Sequence, residues 1–313
     1  MRHSAAMSGN ILVIGGIGQI GHELARARWP AGLATQFVER DRLDLARPAE
    51  VKAAVAAMRP RLVINAGAYT AVDQAETERE TAFAINRDGP AALAEACREL
   101  GAALIHFSTD YVFDGSKHGP YTEADPVCPL SVYGASKAEG DAAIAACLDR
   151  HIILRTSWVY SAVGHNFVKT MLRLGAERDE LRIVDDQHGA PTAAAELARA
   201  AIHIAAALDA GKGDGFGVFN FTGAGETTWC GFARAIFAGA AERGAKVSPR
   251  VRPIATEDYP LPAARPRNSR LDCAKISRVY GLVAKPWQDS LADCLDELMG
   301  RALSPRTAQG AAR

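Results

Sequence analysis

Of the seven tyrosines, only Tyr133 has a lysine four positions later, in Tyr133-Gly134-Ala135-Ser136-Lys137. Helical spacing sets phenol and ammonium on one face. Tyrosine titrates near ~10 in water, and a nearby positive charge lowers the cost of the phenolate, so the pair can serve as an acid–base device. Surface helices carry the same spacing by chance, so a second signal is needed. It lies upstream, where Gly15-Gly16-Ile17-Gly18-Gln19-Ile20-Gly21 follows the apolar run Ile11–Ile14. Read from Gly16 this is G-x-G-x-x-G, and from Gly15 it is G-x-x-G-x-x-G. Small residues fall where the backbone must turn, approach a pyrophosphate and let a helix pack on a strand. A helix opening near Gln19 would aim unpaired N–H groups at the anion.

The third element is Ser108-Thr109-Asp110-Tyr111-Val112-Phe113, at the end of the expected strand Ala103–Phe107. The Thr109 hydroxyl can hydrogen-bond a carbonyl oxygen as charge develops while Tyr133 delivers a proton. Thr109 and Asp110 also suit the capping of a turn, and the two roles can coexist. For the cofactor, Glu39 ends the second expected strand 18 residues after Gly21 and suits a ribose 2′-hydroxyl, whereas the adjacent Arg40 suits a 2′-phosphate. The expectation is that both NADPH and NADH are used.

These groups need a scaffold. Ile11–Ile14, Thr35–Val38, Leu62–Asn65, Ala103–Phe107 and Ile152–Leu154 read as strands. A helix is expected from Pro48, with Val51, Val55 and Met58 on one face and a stop at Pro60. This succession predicts an α/β fold, a Rossmann-type doubly wound parallel sheet with a ligand across the carboxyl ends of its strands. After about residue 160 the pattern loosens into a proline-rich stretch with Pro249, Pro253, Pro260, Pro262 and Pro266, which reads as a smaller C-terminal substrate lobe. The expected division is 9–158 with 183–222 for the dinucleotide-binding domain, 159–182 with 223–303 for the lobe, and 304–313 as a disordered tail.

Composition narrows the class. The net charge of +0, from 36 basic and 36 acidic residues, argues against a diffuse grip on nucleic acid. Ala193 to Leu208 contains Glu196, Arg199 and His203, so it reads as an amphipathic helix and not a membrane span. The segment before the first strand lacks an apolar signal core, which makes a cytoplasmic enzyme the default. The six cysteines include no C-x-x-C pair and read mostly as small buried hydrophobes. Isolated carboxylates such as Glu196 and Asp296 read as surface solubilisers, and no metal site can be placed.

Longer segments then carry a resemblance over nearly the whole chain. With Gly15–Gly21, Ser108–Phe113 and Val132–Lys137, they include Val63-Ile64-Asn65-Ala66-Gly67-Ala68-Tyr69-Thr70-Ala71-Val72-Asp73, Arg155-Thr156-Ser157-Trp158-Val159-Tyr160, Asn166–Met171, Asp186–Thr192 and Arg265–Leu271. In these the chain resembles the dTDP-4-dehydrorhamnose reductases, a family of extended short-chain dehydrogenase/reductases. The resemblance implies that Thr109, Tyr133 and Lys137 form the catalytic set, with Lys137 also holding the nicotinamide ribose. It implies that Gly18, Gln19 and Ile20 cover the pyrophosphate between Gly15 and Gly21, and that Asp44 and Leu45 lie beside the adenine. Ala68, Tyr69, Thr70 and Phe107 would line the cofactor cleft. Thr109, Asp110 and Trp158 would meet the substrate, a dTDP-linked 4-keto-6-deoxy sugar. Its diphosphate needs cations, for which Arg265, Arg267 and Arg270 are the best cluster and Lys169 a weaker candidate. The family further implies a homodimer and allows a Mg²⁺ requirement.

Nucleotide-sugar 4,6-dehydratases share the tyrosine–lysine pair, but here Tyr111 follows Asp110 where those enzymes need a glutamate. The substrate-lobe motifs of epimerases do not resemble the second half of this chain. A non-catalytic nucleotide binder, like the regulatory subunit of methionine adenosyltransferase, is disfavoured by the intact Thr109, Tyr133 and Lys137.

Overall fold

Ile11, Leu12, Val13 and Ile14 are all buried, so the first strand is covered on both faces, the signature of a central parallel strand. A computed structural model describes residues 10–211 and 215–300; the tail call on 304–313 and the segment before Asn10 lie outside the described residues. Twelve strands are β1 Ile11–Ile14, β2 Thr35–Val38, β3 Leu62–Asn65, β4 Ala103–Thr109, β5 His151–Thr156, β6 Val159–Tyr160, β7 Glu180–Val184, β8 His188–Gly189, β9 Thr192–Ala193, β10 Gly217–Asn220, β11 Thr227–Thr228 and β12 Arg250–Ile254 among the described residues. The helices are α1 Gln19–Arg26, α2 Pro48–Met58, α3 Val72–Ala75, α4 Arg79–Phe83, α5 Gly89–Leu100, α6 Val132–Cys147, α7 Phe167–Glu177, α8 Ala194–Asp209, α9 Trp229–Glu242, α10 Ala274–Tyr280 and α11 Trp287–Leu298. A π-helical turn, Ala84–Asp88, joins α4 to α5. None of the described helices is long and apolar enough to cross a membrane.

The six-stranded sheet runs β10-β5-β4-β3-β1-β2, with every pairing parallel. From β1 the chain goes out to β2 and returns to β3 on the other side, so the direction of winding switches between β1 and β3. A crevice opens at the carboxyl ends of such neighbours. Alternate strand residues feed two layers. Ile11, Val13, Leu62 and Ile64 pack with Leu24 of α1 and Leu197, Ala201 and Ile204 of α8. Leu12, Ile14 and Val63 pack with Val51 and Val55 of α2, Leu93 of α5 and Ile144 of α6.

The expected strands are present, and two reach further than the apolar runs suggested. β4 continues to Thr109 and β5 spans His151–Thr156, with Thr109 in register beside Thr156. Polar residues at these strand ends interrupt the hydrophobic pattern while the backbone ladder continues. Beyond residue 160 the expected helix Ala193 to Leu208 is α8, and the pattern is more regular than it looked, for α7, α9, α10 and α11 are formed there too. Pro253 lies within β12, which pairs only with β7. A proline without an N–H is tolerated on such an edge. α7, α9 and α11 enclose a third cluster around Tyr160, Phe232, Ile236, Trp287 and Leu291.

Three surface or core expectations change. Glu196 is 5% exposed, and its Oε2 accepts from Arg199 Nη2 (2.7 Å) and the Lys285 N–H (3.2 Å), so it fastens α8 to the approach of α11. Asp296 accepts from Arg243 Nε at 2.9 Å, which makes it an inter-helix tie. Only Cys97, Cys230 and Cys294 are buried; Cys128 is exposed, and Cys147 and Cys273 are half-buried.

Gly15 has φ +84°, and a Cβ there would meet the Gly67 nitrogen at 2.7 Å. Gly32 has a similar φ of +89° with open space around it. Gly15→Ala is therefore expected to destabilise the chain by at least about 1 kcal/mol more than Gly32→Ala, since both pay the left-handed penalty but only one collides with backbone. Urea unfolding of the two variants measures this, and equal losses would mean that the β1 turn yields.

Candidate active site

The turn after β1 folds as a cradle. Gly18 N–H donates to the Gly15 carbonyl at 3.1 Å and caps α1 without a side-chain bond. The N–H groups of Gln19, Ile20 and Gly21 open the helix, where intrahelical acceptors are absent. A Cβ on Gly21 would overlap the Gly15 carbonyl oxygen, so glycine is what lets α1 pack against its own turn. Glu39, just past β2, leans on the same turn: a Cβ on Gly16 would touch its Oε1 at 2.5 Å, while its Oε2 is buried without a partner. Arg40 points outward with 71% of its side chain exposed, 3.4 Å from Asp44 Oδ2. Leu45 is buried, and its Cδ1 lies 3.0 Å from where a Gly67 Cβ would be.

Behind β3, the loop with Ala68, Tyr69 and Thr70 is held by Asn86 in the π-helical turn. Asn86 Oδ1 accepts from the Tyr69 N–H (2.9 Å), and its Nδ2 donates to the Tyr69 carbonyl (3.0 Å) and to Ser136 Oγ of α6 (3.0 Å). The Tyr69 hydroxyl donates to Glu78 Oε2 at 2.9 Å. The side-chain cap of Ser131, which accepts from the Gly134 N–H at 3.2 Å, starts α6 and sets the phase of its faces.

On α6 that phase puts Tyr133 and Lys137 toward the end of β4. The Tyr133 ring meets Tyr111 edge to face at 5.6 Å. Burial pushes the Tyr133 phenol up from its ordinary value; hydrogen bonding with Thr109 opposes this, and Asp110 and Asp141 reinforce it. Lys137 is 2% exposed, and its Nζ donates to the Phe107 carbonyl at 2.7 Å and lies 2.9 Å from His106 Nε2. Burial lowers it to about 8, and Asp141 pulls it the other way. The ammonium was expected to ease ionisation of Tyr133, but desolvation dominates the phenol. The phenol therefore stays protonated at neutral pH, ready to donate.

Thr109 Oγ1 donates to Asp110 Oδ1 at 3.1 Å and accepts from the Tyr111 N–H at 3.2 Å, so the capping reading holds and the hydroxyl remains beside Tyr133. Asp110 is buried, with Oδ2 unpartnered. Desolvation raises it to about 7, against hydrogen bonds that include the one from Thr109. Deeper still, Asp141 Oδ2 accepts from Ser108 Oγ (2.7 Å) and Arg155 Nε (3.3 Å).

The second lobe meets the expectations unevenly. Trp158 adopts φ +50° and stacks on Trp229 at 3.7 Å, half-buried at the edge of the third cluster. Arg265 is already engaged, donating to both oxygens of Asp73 at 2.6 and 2.7 Å. Arg270 binds Asn268 Oδ1 (2.8 Å), Glu226 and the His118 carbonyl. Arg267 is exposed and acts on Asp186. The three arginines thus serve three different sets of partners and do not form one cluster. Lys169 is half-buried and acts on Cys294 of α11. Among the described residues no group of three or more His, Cys, Asp or Glu side chains could hold a metal ion.

Sequence reasoning gave no role to Asn65, Asn86, His106 or Asp141. Each is a polar residue inside an apolar context, a signal that marks burial but names no partner. Gln19 also does more than expected, for its Oε1 accepts from Ser161 Oγ (3.2 Å) and Asn166 Nδ2 (3.0 Å) across the chain.

Residues 9–299 match the family model described as the RmlD substrate binding domain. A relative from Sinorhizobium fredii (strain NBRC 101917 / NGR234), named dTDP-4-dehydrorhamnose reductase, is 45% identical over 90% of this chain and 94% of its own. A relative of the same name from Escherichia coli (strain K12) is 42% identical over 92% and 98%. Among solved structures, a dTDP-4-dehydrorhamnose reductase from Clostridium acetobutylicum ATCC 824 superposes with a TM-score of 0.85 at 36% identity, covering 92% of this chain and 99% of that one. One from Bacillus anthracis str. Ames, in complex with NADP, gives 0.84 at 34% identity, covering 93% and 100%.

The Asp110 carboxyl carries a stability prediction. Its value is raised in the folded state, so the stability it contributes is full below about 4 and is lost as pH rises through about 7. Asp110→Asn should therefore melt higher than the unaltered chain above pH 7, by roughly 2–4 °C per kcal/mol relieved, with no gain near pH 4. Thermal melts across pH test this, and an equal offset at all pH values would remove the carboxyl from the account.

Proposed function

The chain belongs to the dTDP-4-dehydrorhamnose reductase family, and on that premise we propose that it reduces the C4 keto group of dTDP-4-dehydro-L-rhamnose with a reduced nicotinamide cofactor, giving dTDP-L-rhamnose. The observation that carries this reading is the convergence of Thr109, Tyr133 and Lys137 on the carboxyl end of β4, with only β3 between it and the glycine turn of β1. The contacts run without a gap from Gly15 to Gly67, to Asn65, to His106 and to Lys137.

The site fits a dinucleotide on its own features. Gly15, Gly18 and Gly21 leave a cradle that side chains would fill, the N–H groups opening α1 face it, and Glu39 Oε2 is an acceptor lacking a donor. When bound, the cofactor supplies the hydride. Tyr133, kept protonated by burial, gives its proton to the developing alkoxide, while the Thr109 hydroxyl holds that oxygen. Lys137 holds the nicotinamide ribose. Asp110, buried just past β4, and Trp158, stacked on Trp229, would meet the sugar. With Arg265 locked on Asp73, the exposed Arg267 is the stronger candidate for the substrate diphosphate. Tyr111 fills the place after Asp110 with a phenol packed on Tyr133, which supports reduction over elimination.

We expect Tyr133→Phe to cut turnover by about 10²-fold or more, the usual scale of general acid catalysis. Loss of nicotinamide absorbance with the 4-keto sugar nucleotide, followed by identification of the product sugar, measures it; near-normal turnover would rule Tyr133 out as the acid. Both NADPH and NADH should serve, Glu39 lying against the turn and Arg40 at its rim. Arg40→Ala should raise the KM for NADPH roughly two- to five-fold, the scale of an exposed ion pair, and leave that for NADH unchanged. Equal effects on both cofactors would remove Arg40 from the 2′-phosphate.

A further inference from the structure

Lys137 is not the only cation sealed beneath α6: Arg155 of β5 is 5% exposed, and both meet the same layer of side chains. His106 and Ser108 alternate with Phe107 along β4, so they face α6 together while Phe107 belongs to the layer packed with α8. His106 Nε2 lies 2.9 Å from Lys137 Nζ, and Ser108 Oγ donates to Asp141 Oδ2 at 2.7 Å. Arg155 is the register partner of Ser108, and its Nε donates to the same Oδ2 at 3.3 Å. Lys137 and Asp141 stand four apart on α6, a spacing that sets Cβ atoms about 5–6 Å apart on one helix face. Asp141, 4% exposed, is thus bonded to one buried cation and lies one helical turn from the other.

A guanidinium does not shed its proton inside a protein, so a buried Arg155 needs an anion. Asp141 supplies it. Burial pushes this carboxyl up, while Arg155, Lys137 and the Ser108 hydroxyl all hold it down. Its second oxygen, Oδ1, is buried and accepts no hydrogen bond, so that part of its charge is left to act through space.

The other titratable groups around the amine do not compete for this role. Tyr133, one turn earlier on α6, stays protonated. His106 on β4 is held well below its usual range by burial and by the charge of Lys137. Asp110, past the end of β4, is raised to about 7. Glu139 lies on the solvent side of α6, paired with Arg87 at 3.2 Å.

We infer that Asp141 is a positioning residue: its carboxylate is the counter-charge that the buried Lys137 shares with Arg155, and it keeps the lysine an ammonium at neutral pH. Burial lowers Lys137 and Asp141 opposes the fall, leaving the amine at about 8. With the carboxylate removed, desolvation acts unopposed and the proton leaves at lower pH. The ammonium is the form suited to the site. It gives one N–H to the Phe107 carbonyl at 2.7 Å and directs another at His106 Nε2, which leaves a third for a ribose hydroxyl.

The test reads the lysine directly. The full chain, labelled with 13C-lysine and free of cofactor, is titrated from neutral to alkaline pH while the 13Cε signals are followed. Lys137 is assigned by its loss in Lys137→Arg. Its inflection should stand near 8 in the unaltered chain and fall by about one pH unit or more in Asp141→Asn, the scale of an opposite charge nearby. An inflection that stays in place or rises overturns the inference. Asp141→Asn leaves Arg155 buried without its anion and can fail to fold for that reason. Arg155→Gln is then compared with the double variant Asp141→Asn/Arg155→Gln, in which no unpaired guanidinium remains. The inflection should again be lower where the carboxylate is absent, and equal inflections overturn the inference. In turnover of the keto sugar, the alkaline limb of the kcat/KM profile should move down with the inflection. A fall equal at every pH, with the inflection in place, marks a packing role and overturns the inference too. Only the limb rests on the reductase reading: a shifted inflection in a chain that does not turn over the keto sugar would sink that reading and leave this one standing.

Discussion

The close approach of two backbone turns, Gly15 after β1 and Gly67 after β3, is the constraint on which the remaining geometry depends. Both follow strands that are buried on each face, and both lie where the winding of the sheet changes direction. Because no side chain separates them, the helix opening at Gln19 and the loop from Ala68 to Thr70 share one crevice. β4 adds Phe107 and Thr109 to its wall, and α6 reaches over from the next crossover with Tyr133 and Lys137. A sheet of this kind gathers chemistry from distant parts of the chain because the ends of its parallel strands all face one way.

Burial does most of the electrostatic work in this site. Tyr133, Asp110 and Asp141 are all shifted toward their neutral forms by desolvation, and Lys137 is shifted toward its own. The expected device, an ammonium easing ionisation of a phenol one turn away, is therefore a weaker influence than the loss of water around both groups. In a reductase this is consistent: an acid that must arrive protonated gains from an environment that disfavours its anion.

Much of this was legible in the sequence, for reasons that differ by residue. The glycine spacing and the apolar run before it fixed the β1 turn and the start of α1, since both are local effects of backbone sterics. Pro48 and Pro60 bracketed α2 for the same reason. The ends of β4 and β5 were set too short because Ser108, Thr109, Arg155 and Thr156 break the apolar pattern while the ladder persists. Arg265 was read as a free cation because its partner, Asp73, lies far away in sequence. The contacts of Asn86 and His106 were invisible in the sequence, since their partners are brought near only by the folded chain. Of the helices after residue 160 only α8 was read from the sequence, as Ala193 to Leu208; the prolines from 249 to 266 lie on an edge strand and in loops between α9 and α10.

The side chain of Gln19 belongs at once to the first turn of α1 and, through Ser161 and Asn166, to the segment that launches α7. Asn166 in turn caps that helix by accepting from the Lys169 N–H. The glycine turn that opens α1 is thereby latched to the half of the molecule built around α7, α9 and α11. Swinging the two halves apart would break this pair of neutral hydrogen bonds, each worth about 1 kcal/mol net, together with the ion pairs of Arg26 with Glu297 and of Arg265 with Asp73. Any dinucleotide that orders the α1 turn would tighten this clasp, and the sugar pocket would stiffen before a sugar arrived.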